Sequence, residues 1–146
     1  MGYAGQVIFS ASTTHALRAL AWLAAQGGDE AVMGRTLAGK LQLPPDYLAK
    51  ILATLARKGV LVATRGVKGG YRLARAPDRI RLIDVVEPFE GRRARPGCLL
   101  QPDRPCRDSG PCSAHRAWAE VKRAYMEFLE KGTLADIRGS ALRTRR

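Results

Sequence analysis

The stretch Tyr47-Leu-Ala-Lys-Ile-Leu-Ala-Thr-Leu-Ala-Arg-Lys-Gly59, continued as Val60-Leu-Val-Ala-Thr-Arg-Gly-Val-Lys-Gly-Gly-Tyr-Arg-Leu-Ala-Arg75, decides the fold. In its first half Tyr47, Leu48, Ile51, Leu52 and Leu55 recur three and four apart, the spacing of one helical face. Lys50, Thr54, Arg57 and Lys58 fall largely on the outer face, and Gly59 stops the helix. The pattern then changes. Val60–Thr64 and Tyr71–Ala74 read as two short strands, joined by the glycine-rich tip Arg65-Gly-Val-Lys-Gly-Gly70.

Upstream, Gly34–Leu41 forms a short helix burying Leu37, Ala38 and Leu41. It is broken by Gln42-Leu43-Pro44-Pro45-Asp46, because proline suits a first turn and not an interior. The third helix then runs from about Pro45 to Lys58. Two short helices around a tight break, followed by a two-stranded ribbon, are the plan of a winged helix-turn-helix. The fold class expected is mainly α with a small β-wing. In that plan Asp46, Ala49, Lys50 and Thr54 stand nearest to bases or phosphates. Arg65 and Lys68 charge a tip whose glycines permit close approach to a nucleic-acid backbone. The turn position usually given to glycine is Gln42.

Farther out, a first helix runs from Ser12 to Gln26, with Ser12 and Thr13 as N-caps and Gly27-Gly28-Asp29 as its stop. Residues 1–11 read as an extended arm. Leu82, Val85, Val86 and Phe89 restore helical spacing after Asp78, so residues 12–90 make one DNA-binding domain. Residues 91–112 form a long loop with four prolines and Arg92, Arg93 and Arg95. A loop of that length is usually functional or disordered. The helix 113–131 carries a heptad-like seam, Ala114, Trp118, Val121, Tyr125 and Phe128, suited to pairing with a second chain. Residues 132–146 are left as a basic tail.

Of the 146 residues, 25 are Lys or Arg and 13 are Asp or Glu, a formal charge of +12. Such an excess favours a polyanionic partner, since each phosphate contact releases a condensed counterion. No run of about 18 apolar residues is present, and residues 1–20 lack the features of a secretion signal. A cytoplasmic protein without a membrane span is expected.

All three cysteines and one of two histidines lie in Cys98–His115, spaced C-x7-C-x5-C-x2-H. Three thiols cannot all pair, and thiolates are soft ligands. An iron–sulfur cluster, a Cys3His zinc site, redox-active thiols and a loop with no ligand all fit that pattern. Cys112 and His115 sit three apart at a helix start and can share a face. Their use as a catalytic pair needs an orienting residue and an oxyanion site that no motif supplies, so an enzyme is not expected.

The runs THALRALAWLA, YLAKILATLARKGVLVATRGVKGGYRLAR and IRLIDVVEPFEG resemble the Rrf-two family of bacterial transcription regulators. The resemblance spans Ser12 to about Ile137. It implies a homodimer crossed through the C-terminal helices, on a roughly two-fold-symmetric operator in double-stranded DNA. It implies further that Arg65 is the wing arginine and that Asp46, Ala49 and Lys50 form the recognition face. The seam Trp118, Val121, Tyr125 and Phe128 is then the dimerisation surface. Cluster-binding members place three cysteines in this loop, which assigns Cys98, Cys106 and Cys112 to a cluster. Some members add a carboxylate from the first helix. Here Thr14 holds that position, and no acid precedes Asp29. Others use a histidine after the third cysteine, which His115 matches. A 2Fe–2S cluster on three Cys and one His is therefore the favoured cofactor, with 4Fe–4S as the alternative. His15 is expected to be a packing residue.

Overall fold

The computed structural model describes residues 8–27, 29–107 and 112–138. The elements run α1 (Ala11–Gln26), α2 (Gly34–Leu41), α3 (Pro45–Arg57), β1 (Leu61–Thr64), β2 (Gly70–Leu73), α4 (Leu82–Glu90), α5 (His115–Lys131) and α6 (Leu134–Ile137). Short 3-10 turns cover Pro77–Arg79 and Gly91–Ala94. The expected winged helix-turn-helix is present, within a residue or two at each boundary.

Helix α3 forms because its apolar residues fall on one stripe: Leu48, Ile51, Leu52 and Leu55 are buried. They meet Leu37 and Leu41 of α2 and Leu20 and Leu23 of α1 in a core that also takes in Ile80, Ile83, Val85 and Val86. The turn from α2 into α3 passes through Gln42 at φ 56°, the one non-glycine residue with positive φ among those described. Gln42 takes the left-handed position, its backbone N–H donating to the last carbonyls of α2.

Strands β1 and β2 pair antiparallel with Leu61 opposite Leu73 and Thr64 opposite Gly70. Val32, between α1 and α2, adds an isolated bridge to Tyr71, with N–H···O distances of 2.9 and 2.8 Å. Here glycine is required. Gly70 has φ 148°, and a Cβ on it would overlap the Val32 carbonyl. The wing is thereby anchored to the helical body.

The first helix begins earlier than its own residues suggest. Ser10 is the N-cap, accepting from the Thr13 N–H at 3.3 Å. Thr13, expected as a cap, is fully buried and donates its hydroxyl to Glu90 of α4 at 2.5 Å. The same carboxylate accepts from the Ser10 N–H at 2.7 Å. Burial pushes the Glu90 carboxyl up, but the bonds from Thr13 and Ser10 and the charge of Arg93 outweigh it and hold the group below its ordinary value. With a depressed folded value, the stabilisation is complete above the ordinary carboxylate range and is lost as pH falls through it. A hydrogen bond to a charged group contributes about 1.5–3 kcal/mol, so this clamp fixes the start of α1 to the end of α4.

Helix α5, 17 residues long, buries a single residue, Leu129. Its last turn leads through Gly132 into α6, where Leu134 is buried and Thr133 bridges back to Arg81. This stretch, expected as tail, is part of the body. Residues 139–146, the rest of that tail, and residues 1–7 of the arm lie outside the described residues. Of the arm, Phe9 packs against Tyr125 with ring centroids 6.2 Å apart. No helix among the described residues is long and apolar enough to cross a membrane.

Candidate functional site

Two regions carry the chemistry. The first is the outer face of α3 and the wing tip. Asp46, Ala49 and Lys50 are exposed on the first turns of α3, and Arg65 and Lys68 are exposed at the tip. Among the described residues the side chains of Asp46, Lys50, Arg65 and Lys68 have no hydrogen bond or ion pair, so their charge is free for a ligand. Thr54 is occupied: its hydroxyl donates to the Lys50 carbonyl at 3.0 Å and accepts from Arg57 at 3.1 Å. Arg57, which the sequence pattern places on the outer face without naming it as a DNA contact, thereby extends the basic edge of the helix.

The second region is an open cleft of about 1260 Å3 between α5 and the segment 91–106. Cys98, Cys106 and His115 line it together with Trp118 and Lys122. Its floor is a closed turn: the Cys98 N–H donates to the Arg104 carbonyl at 2.8 Å, and the Arg104 N–H to the Gln101 carbonyl at 2.9 Å. Gly97 fits because a side chain there would overlap the Pro102 carbonyl. The backbone N–H groups of Leu100 and Gln101 reach the Cys98 sulfur and, against a burial effect, hold its thiol below the ordinary value. Cys106 and the Lys122 charge add to this.

Both ends of this turn are fastened to α5. The Trp118 indole N–H donates to the Gly97 carbonyl at 2.8 Å, and the Lys122 ammonium donates to the Cys106 sulfur at 3.4 Å. Trp118 and Lys122 are one helical turn apart, on the same face of α5. Arg95 adds exposed ion pairs to Glu87 of α4 at 3.3 Å and Glu130 of α5 at 2.9 Å.

Cys112 stands apart. It is exposed on the turn before α5, and its carbonyl accepts from the His115 N–H at 3.0 Å. Among the described residues no three His, Cys, Asp or Glu side chains already stand grouped to hold a metal ion. The donor types nevertheless suit a cluster: two neighbouring thiols and an imidazole in the same cleft. His15 belongs elsewhere. Its Nδ1 is 3.0 Å from the Tyr47 hydroxyl, an edge-on contact joining α1 to α3.

The seam of α5 is divided. Trp118 faces the cysteine turn and Tyr125 faces Phe9, whereas Val121 and Phe128 are each 55% exposed. The roles of Lys122, Gly97 and Glu90 were not legible locally. Each depends on a partner at least 16 residues away or on a backbone approach that only the folded turn creates.

This combination of wing, recognition helix and cysteine segment has counterparts. The family model of Rrf2, described as iron-dependent transcriptional regulators, matches residues 9–139. The chain belongs to the Rrf2 family. An Aquifex aeolicus relative, named as a presumptive HTH-type transcriptional regulator, is 34% identical over 133 residues, covering 90% of this chain and 91% of its own. The Bacillus licheniformis regulator NsrR is 28% identical over 125 residues, covering 86% and 87%. Among solved structures, T. potens IscR superposes with a TM-score of 0.71 at 26% identity, over 98% of this chain and 93% of that one. CymR, the global cysteine regulator of B. subtilis, gives 0.77 at 23% identity over 90% and 96%, a likeness of fold alone. This Rrf2 member is a DNA-binding transcription regulator.

Proposed function

We propose that this regulator is a cytoplasmic homodimer whose affinity for a roughly two-fold-symmetric DNA operator is set by an iron–sulfur cluster. Cys98, Cys106 and Cys112 would hold it, with His115 as fourth ligand. The observation that carries this reading is the cleft itself: Cys98, Cys106 and His115 line one surface, and the turn bearing the two thiols is fastened to α5. The NsrR and IscR relatives favour a cluster over other soft-ligand chemistry. Three thiolates and one imidazole suit 2Fe–2S, with 4Fe–4S as the alternative.

When bound, the cluster supplies a centre whose charge and integrity change with oxidation or nitric oxide. The chain's part is to convey that change. Trp118 and Lys122 pass the position of the cysteine turn to α5, and Arg95 joins α5 to α4. Glu90 then ties the end of α4 to the start of α1. Val121 and Phe128, seven residues apart on α5, offer the apolar face for a second copy. At the DNA, Lys50, Arg65 and Lys68 neutralise phosphates, and the wing arginine suits a narrow minor groove.

A second reading is favoured by one contact. Cys98 and Cys106 are neighbours with Lys122 beside them, an arrangement that also serves thiol oxidation without a cluster. The test is to purify the protein without oxygen and count iron and acid-labile sulfide against its visible spectrum. Coloured protein with iron and sulfide in equal amounts is expected. Colourless protein holding zinc selects the Cys3His site, and protein holding neither metal nor sulfide selects the thiols.

A further inference from the structure

The wing tip presents an apolar group where a DNA-binding hairpin reaches farthest. Val67 is 100% exposed, between Arg65 and Lys68, whose side chains are exposed and unpaired among the described residues. The turn that places it is tightly determined. Gly66 has φ 106°, the Gly69 N–H donates to the Gly66 carbonyl at 2.9 Å, and a Cβ on Gly69 would overlap the Thr64 carbonyl. The Val67 isopropyl group therefore contributes nothing to the packing of its own chain.

Resting on the proposed contact between wing and minor groove, we infer that Val67 is a specificity-determining residue that selects A·T pairs at the groove floor. The minor groove is about 6 Å wide and shows acceptors alone at A·T and T·A pairs, while a G·C pair adds the N2 amino group of guanine. Arg65 and Lys68 carry the electrostatic attraction to a narrow groove but distinguish bases weakly. An isopropyl group held between them fits against the A·T floor without a steric clash. Over a G·C pair it collides with the amino group and covers an N–H donor to which it offers no acceptor.

The test uses duplexes selected by the purified full chain from a random-sequence pool, with the wing-contacted pairs located by hydroxyl-radical protection. One such A·T pair is changed to G·C or to I·C, since inosine lacks the N2 amino group. The wild-type protein should bind the G·C duplex about tenfold more weakly and the I·C duplex within about twofold of the original. Val67→Ser supplies a hydroxyl acceptor and should reduce the G·C penalty to about twofold, with A·T affinity nearly kept. Because Val67 has no packing role, circular dichroism of this variant should match wild type. An I·C duplex as weak as G·C, or a full G·C penalty in Val67→Ser, overturns the inference while leaving DNA binding intact. Selection of no duplex at all overturns the wing–DNA contact and this inference together.

Discussion

Replacing Arg65 and Lys68 together by alanine should lower affinity for a selected operator by about 100- to 1000-fold near 0.1 M salt. Both side chains extend from the wing tip without a partner among the described residues, so their charge is available to phosphate oxygens. In a homodimer the double variant removes four cations from the interface. Counterion release then predicts that the slope of log affinity against log salt falls by about 3 to 4. Fluorescence anisotropy across a salt series measures both quantities. The fold should be indifferent, because neither residue touches the core, and stability should stay within about 0.5 kcal/mol. An unchanged slope would remove the wing from the interface. A collapse in stability would mean that the tip carries a structural role its exposure does not show.

Cys106→Ser should reduce bound iron to less than about one tenth of the wild-type amount, since a serine hydroxyl is a hard, weakly acidic donor and a poor substitute for thiolate. Cys106 is only partly buried, and its sulfur is engaged by Lys122, so the folded chain should tolerate the exchange. Lys122→Met is the informative companion. It removes the ammonium beside Cys106 and leaves every proposed ligand in place. It should retain iron after anaerobic purification but lose it faster to a chelator, as expected for a neighbour that holds a ligand and not for a ligand itself. Iron analysis and the decay of visible absorption follow the two variants. Full iron in Cys106→Ser would exclude that residue from the site.

The sequence of Tyr47–Arg75 is legible because its information is local. Apolar residues three and four apart, a stop at Gly59 and a glycine-rich tip each act within a few positions, and the structure follows them. Where reading failed, the deciding partner was distant. Thr13 looks like a cap, but its hydroxyl is engaged by Glu90, 77 residues away, and Ser10 caps instead. Helix α6 has four residues and forms because Leu134 is buried against the body, an effect of tertiary packing. The seam of α5 is visible as a period, yet the period does not show that Trp118 meets the Gly97 carbonyl and Tyr125 meets Phe9. The cysteine segment was legible as a donor set. The closed turn at Gly97–Arg104, and its two attachments to α5, arise only once Gly97 is pressed against the Pro102 backbone.

The proposed function turns on control of DNA affinity by the state of the cysteine cleft. It is tested most directly by measuring operator affinity on one anaerobic preparation before and after iron is removed by a chelator, and again after reconstitution with iron and sulfide. Affinity should change by about tenfold or more on removal, the scale of a coupling free energy between two sites, and recover on reconstitution. Equal affinity in all three states, with iron shown to leave and return, would contradict it.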